Sequence, residues 1–156
     1  MAQASVSDLE TLYRSRYDRF VRVATAILRN EERAVDAVQE AFASALRDRS
    51  RFRGDGPLEA WVWRIVVNAA RKQHAQAPSV LLSEAAGNEP EPPDDSVRRA
   101  VRRLPERQRL ALFLRYYADL DYESIARVLD VRPGTVAAAL NSAHETLRGS
   151  FQEVSR

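Results

Sequence analysis

Apolar positions recur at spacings of three and four over three stretches in the first half of the chain, the period of helices with one buried face. The first takes in Leu9, Leu12, Tyr13, Tyr17, Phe20, Val21, Ala24, Ile27 and Leu28, with Ser7 as its cap and an end near Asn30. Asn30 followed by Glu31 and Glu32 reads as a cap with first-turn carboxylates, opening a second helix through Ala34, Val38, Ala41, Phe42, Ala45 and Leu46. The other face of that helix shows Asp36, Gln39 and Glu40. A loop from Ser50 to Gly56 then leads to Pro57, which suits a first helical position because its missing N–H has no partner there anyway. Winding the third helix at about 100° per residue puts Leu58, Val62, Ile65, Val66 and Ala69 on the core arc and Trp61, Arg64, Asn68, Arg71 and Lys72 on the other. It fades around Gln76. Three helices with short connections predict an antiparallel bundle over residues 7–76.

The periodicity then stops. Residues 77–95 hold Pro78, Pro90, Pro92 and Pro93 with five acidic residues and no regular apolar pattern, the composition of a flexible linker. Fully extended, such a segment reaches ~65 Å at ~3.3 Å per residue. Helical spacing resumes at Ser96 with a short helix, Val97 to Arg103. Pro105, at a first helical position, restarts a helix through Leu110, Phe113, Leu114 and Tyr117. Asp121 caps Tyr122 to Leu129, with Tyr122, Ile125, Ala126 and Leu129 on one face; Asp130, Val131 and Arg132 make a turn. Pro133 and Gly134 begin a last helix whose Val136, Leu140, Ala143 and Leu147 point inward. The expected fold is all-α: a helical bundle, a linker and a four-helix module over 96–152.

At 156 residues and 45% hydrophobic content the chain has material for real cores. The net charge of +2 conceals a strong segregation. Residues 50–76 carry five basic against two acidic groups, residues 77–96 carry five acidic and no basic ones, and residues 97–156 carry eleven arginines against seven acidic groups. Two positive segments flanking a negative one predict two surfaces for a polyanion, joined by a connector that repels it. The absence of cysteine excludes disulfides, thiolate metal sites and a cysteine nucleophile, and His74 and His144 are the only imidazoles. No metal and no cofactor are expected, and neither clustered carboxylates nor a nucleophile with a base speaks for a hydrolase or nuclease. The first residues lack a basic region followed by an apolar run, and no apolar stretch approaches the ~20 residues needed to span a bilayer. The expectation is a cytoplasmic protein without membrane insertion.

Two features carry candidate chemistry. On the third helix, cations, a flat ring and an amide share one face, and the loop before it adds Arg51 and Arg53. Cations neutralise phosphates, rings stack on bases and amides read base edges, so this mixture suits an unstacked nucleic-acid strand. Taken by itself, the stretch fits a solvated helix face whose Trp61 sits at the core edge better, since basic amphipathic helices are common. In the second module, a helix of eight residues, a turn of three and a longer helix reading Gly-Thr-Val match a helix-turn-helix, whose second helix enters the major groove, more closely than a plain helical hairpin.

Several dispersed motifs in the same order resemble the bacterial sigma factors of the two-domain, extracytoplasmic-function group. They are the segment Asp36 to Phe42, Phe52-Arg53-Gly54 followed by Trp61, Ile65 and Asn68, the run Leu104 to Arg109, and Tyr122, Glu123, Ile125, Ala126 and Leu129 with Gly134-Thr135-Val136. The resemblance spans Leu12 to about Leu147 and implies a non-enzymatic factor that directs core RNA polymerase to promoter DNA, with an anti-sigma factor as a further partner. It implies that Asp36, Gln39 and Glu40 meet the polymerase clamp, and that the loop Ser50 to Gly56 with Trp61, Arg64, Asn68, Arg71 and Lys72 holds the melted strand of the downstream element. The upstream duplex would fall to Gly134 and Thr135, with Arg127, Arg132, Asn141, His144 and Arg148 around them.

Two departures stand out. Arg33 and Val35 occupy positions where the group usually carries acidic residues, so the polymerase-facing surface is less acidic. In the last helix Ala137, Ala138, Ala139, Ser142 and Thr146 fall where polar or basic groups are expected. Weak phosphate contacts in this helix, or a reading of thymine methyls by its alanines, follow from that substitution pattern. The same departure leaves a second function open, a sigma-like decoy that binds an anti-sigma factor without recognising promoters.

Overall fold

The structure, a computed structural model, describes residues 3–76 and 96–154. The expected linker, 77–95, lies outside the described residues. Every regular element among the described residues is helical, in agreement with the all-α expectation. The chain divides into two compact units, with residues 3–76 in the first and 96–154 in the second.

The first unit contains α1 (Val6–Leu28), α2 (Glu31–Arg47) and α3 (Leu58–Gln76), each packed against the other two. The α1 cap is Ser5 rather than Ser7: the Ser5 hydroxyl accepts the Asp8 N–H at 3.0 Å and the Asp8 carboxylate accepts the Ser5 N–H at 3.4 Å. This reciprocal pair satisfies two orphan donors where a lone serine satisfies one, and the helix starts two residues earlier than a cap at Ser7 would allow. Arg29 leaves α1 in the left-handed region at φ 55°, and Asn30 caps α2 by accepting the Arg33 N–H at 2.9 Å. The caps of the two helices are therefore consecutive residues, with nothing between them.

Large rings fill the centre of this unit. Trp63 and Phe20 are fully buried with ring centroids 4.2 Å apart, Phe42 meets Phe20 edge-on at 5.2 Å, and Tyr13 meets Phe42 edge-on at 4.9 Å. Edge-on and tilted pairs of this kind add about 0.5–1.5 kcal/mol each beyond the area they bury. The core side of α3 consists of Ala60, Val62, Trp63, Val66, Val67 and Ala70; Leu58, Ile65 and Ala69 are half-buried flanks, not its centre. The arc is rotated toward Trp63 because the largest ring takes the deepest position and Ala60 and Ala70 let the backbones approach around it. Leu46, expected in the core, is 37% exposed at the end of α2. Pro57 precedes α3 instead of opening it, and its carbonyl accepts the Trp61 N–H at 3.4 Å.

The second unit contains α4 (Ser96–Arg102), α5 (Glu106–Tyr116), α6 (Tyr122–Leu129) and α7 (Pro133–Val154). Helix α7 packs against the other three. Pro105 is again a flanking residue, extended at ψ 148°, and not a first helical residue. Arg109 donates to the carbonyls of Arg102 at 3.2 Å and Leu104 at 2.9 Å, covering acceptors left open at the end of α4. Asp121 caps α6 by accepting the Ser124 N–H at 2.8 Å. That bond, helped by the Ser124 side chain and by Arg115 and opposed by slight desolvation, lowers the Asp121 carboxyl below its ordinary 3.8. Asp130 ends α6 in the left-handed region at φ 56°. Tyr122, expected on the apolar face, is 41% exposed, and the Arg115 guanidinium lies 5.6 Å from its ring centre.

Candidate nucleic-acid interface

Arg64, Asn68, Arg71 and Lys72 are all exposed along α3, on the side away from Trp63. Trp61, at the head of that side, is half-buried, and its ring leans on Phe52 with centroids 5.6 Å apart and planes at 53°. Phe52 follows a single turn of 3₁₀ helix, Arg49–Arg51, and precedes the bend at Gly54, whose φ of 77° is one that a side chain would strain. Arg51 and Arg53 are exposed on either side of Phe52. The loop and the head of the helix thus bring two rings together beside two loop arginines, and the cations and amide of α3 follow from there along its exposed side. Sequence reasoning put the loop Ser50 to Gly56 in the site through the family resemblance but singled out only Arg51 and Arg53 from it; the pairing of Phe52 with Trp61 is what the structure adds.

The first turn of α3 is tied down from α1. Arg16 Nε donates to Glu59 Oε1 at 3.2 Å in a partly buried ion pair two residues before Trp61. Asp36, Gln39 and Glu40 are exposed together on α2. Glu40 accepts from Gln73 Nε2 of α3 at 3.3 Å, and Arg33 and Val35 are half-buried beside this face.

In the second unit α6, a turn and α7 form the helix-turn-helix arrangement. Arg132 starts α7 by accepting the N–H groups of Thr135 at 2.9 Å and Val136 at 3.2 Å. Gly134, Arg127, Arg132, Asn141 and Arg148 are exposed and Thr135 is half-buried. His144 is half-buried and hydrogen-bonded through Nε2 to the Tyr116 hydroxyl at 2.8 Å, so its polar edge is directed toward α5. The alanine run divides: Ala138 is exposed, Ala137 half-buried, and Ala139 only 8% exposed in the core, so the expectation that Ala139 stands at a polar surface position is incorrect. Its three-residue spacing from Val136 and four-residue spacing to Ala143 carry it to the inner stripe.

Among the described residues no three His, Asp or Glu side chains cluster to hold a metal ion, and no helix is long and apolar enough to cross a membrane. Two family models match the chain: Sigma-70 region 2 over residues 12–77 and Sigma-70, region 4 over residues 94–147. The ECF RNA polymerase sigma-E factor of Escherichia coli K12 is 32% identical, with 78% of this chain and 75% of that protein covered. The RNA polymerase sigma-H factor of Pseudomonas aeruginosa PAO1 is 30% identical, with 80% and 76% covered. The chain belongs to the extracytoplasmic-function sigma factors.

As a sigma factor it is a non-enzymatic initiation protein that directs core RNA polymerase to promoter DNA. Solved structures share the fold: CnrH in complex with the cytosolic domain of CnrY, with a TM-score of 0.75 and 20% identity over 96% of this chain and 91% of that one. The sigma factor RpoE in complex with the anti-sigma factor NepR, from Bartonella quintana, has a TM-score of 0.73 and 18% identity over 94% and 98%. In the sigma factor described here, the α3 face lies within the region 2 match and the helix-turn-helix within the region 4 match.

Proposed function

We propose that residues 7–76 open the downstream promoter element and residues 96–152 bind the upstream element as duplex. The observation that carries the first assignment is the Trp61–Phe52 ring pair beside the exposed Arg64, Asn68, Arg71 and Lys72, with Arg51 and Arg53 on the adjoining loop. An unpaired base needs a ring to stack on and a cationic track for its phosphates, and this surface supplies both. Unstacking costs a few kcal/mol, which such a site has to return. Asp36, Gln39 and Glu40 are the polymerase-facing group, on α2 and so on a different helix from the strand-holding residues. Gly134 and Thr135, at the amide-rich start of α7, take a phosphate. Arg127, Arg132, Asn141, His144 and Arg148 complete the upstream-element group. The protein works in the cytoplasm, where polymerase and promoter are, and has an anti-sigma factor among its partners, as the Bartonella quintana fold neighbour does.

Replacing Arg64, Asn68 and Lys72 together with alanine tests this reading. Three contacts of about 1 kcal/mol each predict a loss of promoter opening of at least about a hundredfold. Binding to core polymerase is expected to survive, because α2 is untouched. Opening is read by the fluorescence of a 2-aminopurine placed in the downstream element. A decoy, the reading favoured by the charge-poor α7, opens no promoter before or after the change.

A further inference from the structure

The surface of α7 changes chemistry along its length. Val136, Ala139, Leu140 and Ala143 are buried, so its first turns expose Gly134, Ala138, Asn141 and Ser142. From Gly134 to Ala143 the sequence contains no Lys, Arg, Asp or Glu, and the imidazole that follows, His144, is engaged by Tyr116 at 2.8 Å. In the major groove guanine is read by Arg or Lys at O6 and N7, and the cytosine amino group by Asp or Glu. Adenine is read by the amide of Asn or Gln at N6 and N7, and the thymine methyl by small apolar groups. The first two readers are missing from the turns that meet base edges in a helix-turn-helix. The last two are present at Asn141 and Ala138, three residues apart on the same exposed stripe.

We infer that α7 reads the upstream element as neighbouring A·T pairs, Asn141 taking an adenine edge through its amide and Ala138 a thymine methyl. This rests on the proposal that α7 is the duplex-reading helix. Small side chains let the helix seat close to the bases, and the work of positioning on phosphates passes to Arg132 before the stripe and Arg148 after it. The second unit then contributes discrimination between sequences more than affinity for duplex.

The test uses the full chain assembled with core polymerase and a promoter library whose upstream element is randomised; transcribed members are enriched and sequenced. The expected result is an enriched element containing adjacent A·T pairs. Deoxyuridine in place of its thymine removes one methyl and is expected to weaken binding about fourfold, an effect absent in Ala138→Gly. The probe 7-deazaadenine removes the N7 acceptor and is expected to weaken binding about fivefold or more, an effect absent in Asn141→Ala. Because glycine also weakens a helix, the Asn141→Ala arm stands independently of the first. An enriched element of G·C pairs, natural and modified bases binding equally, or base effects that persist in both variants each overturn the inference alone. A transcribed library with no upstream preference at all overturns the duplex-reading role of α7 and the inference with it.

Discussion

Helix α3 keeps Arg64, Asn68, Arg71 and Lys72 exposed around a half-buried tryptophan, whereas the first turns of α7 expose Gly134, Ala138, Asn141 and Ser142. Their buried sides differ as well. The core of the first unit is built round the rings of Trp63, Phe20 and Phe42, whereas the buried hydrophobic side chains of the second unit are aliphatic apart from Phe113. Rings are bulky and oriented, so they fix the direction of the helix they carry, and a surface that must hold an unstacked base benefits from a rigid support. A helix that enters a preformed groove needs shape and a few base-edge contacts instead. On the function proposed above, the two units place charge where a strand is to be held open and small side chains where a duplex is to be met intact.

The difference in cores is the easiest to break. Trp63→Ala is expected to destabilise the first unit by about 3–5 kcal/mol, measured by denaturant unfolding with Trp61, the other of the chain's two tryptophans, as reporter. Trp63→Phe keeps a ring against Phe20 and removes an indole N–H that has no hydrogen-bond partner among the described residues, so a cost below about 1.5 kcal/mol is expected. Equal losses in the two variants would mean that the ring stack is not what supports α3.

Charge reversal tests whether the first unit separates its two tasks onto two helices. Asp36→Lys with Glu40→Lys is expected to weaken binding to core polymerase by on the order of tenfold or more while helical circular dichroism stays unchanged. Unaltered affinity removes Asp36 and Glu40 from the polymerase surface. On the other side of the comparison, Arg132→Ala or Arg148→Ala is expected to flatten the salt dependence of upstream-duplex binding by ~1 in slope, if each touches one phosphate. A steep slope that neither variant changes would contradict the contrast between a charged α3 and a charge-poor α7.

The smallest effect concerns the start of the first helix of the helix-turn-helix. Asp121→Ala removes the α6 cap at an expected cost of about 1 kcal/mol. Because the folded carboxyl titrates below its ordinary 3.8, its contribution is fully present above that value and is lost as pH falls through the lower folded one. The stabilities of the parent and Asp121→Ala are thus expected to converge in strong acid, as followed by unfolding between about pH 2 and pH 5. A gap that stays constant with pH would assign the loss to packing and not to the carboxylate.

Much of this protein was legible before any coordinates. Periods of three and four, with caps and prolines, located all seven helices found among the described residues, but the last apolar position read for α7, Leu147, falls seven residues short of its end at Val154; one-sided burial leaves its mark on sequence wherever a helix lies on a core. Asn30 and Asp121 were recognisable as caps, since a cap is a local bond between neighbours in the chain. The basic face of α3 and the charge-poor start of α7 were likewise plain from residue types at helical spacing.

What the sequence left open was decided by contacts between distant residues. The pattern placed Leu58 and Ile65 on the core arc and passed over Trp63; with Phe20 against its ring and Phe42 against Phe20, Trp63 takes the centre and the other two the flanks. Ala139 looked like a surface position in a run of identical residues, and only the packing of α7 on its neighbours separates it from exposed Ala138. Phe52 joins Trp61, and Tyr116 engages His144, across 9 and 28 residues of chain, distances over which periodicity carries no information about which side chains meet. Local bonding and one-sided burial are written into the order of residues; the depth of each side chain and its partner across the core exist only once the helices have closed on one another.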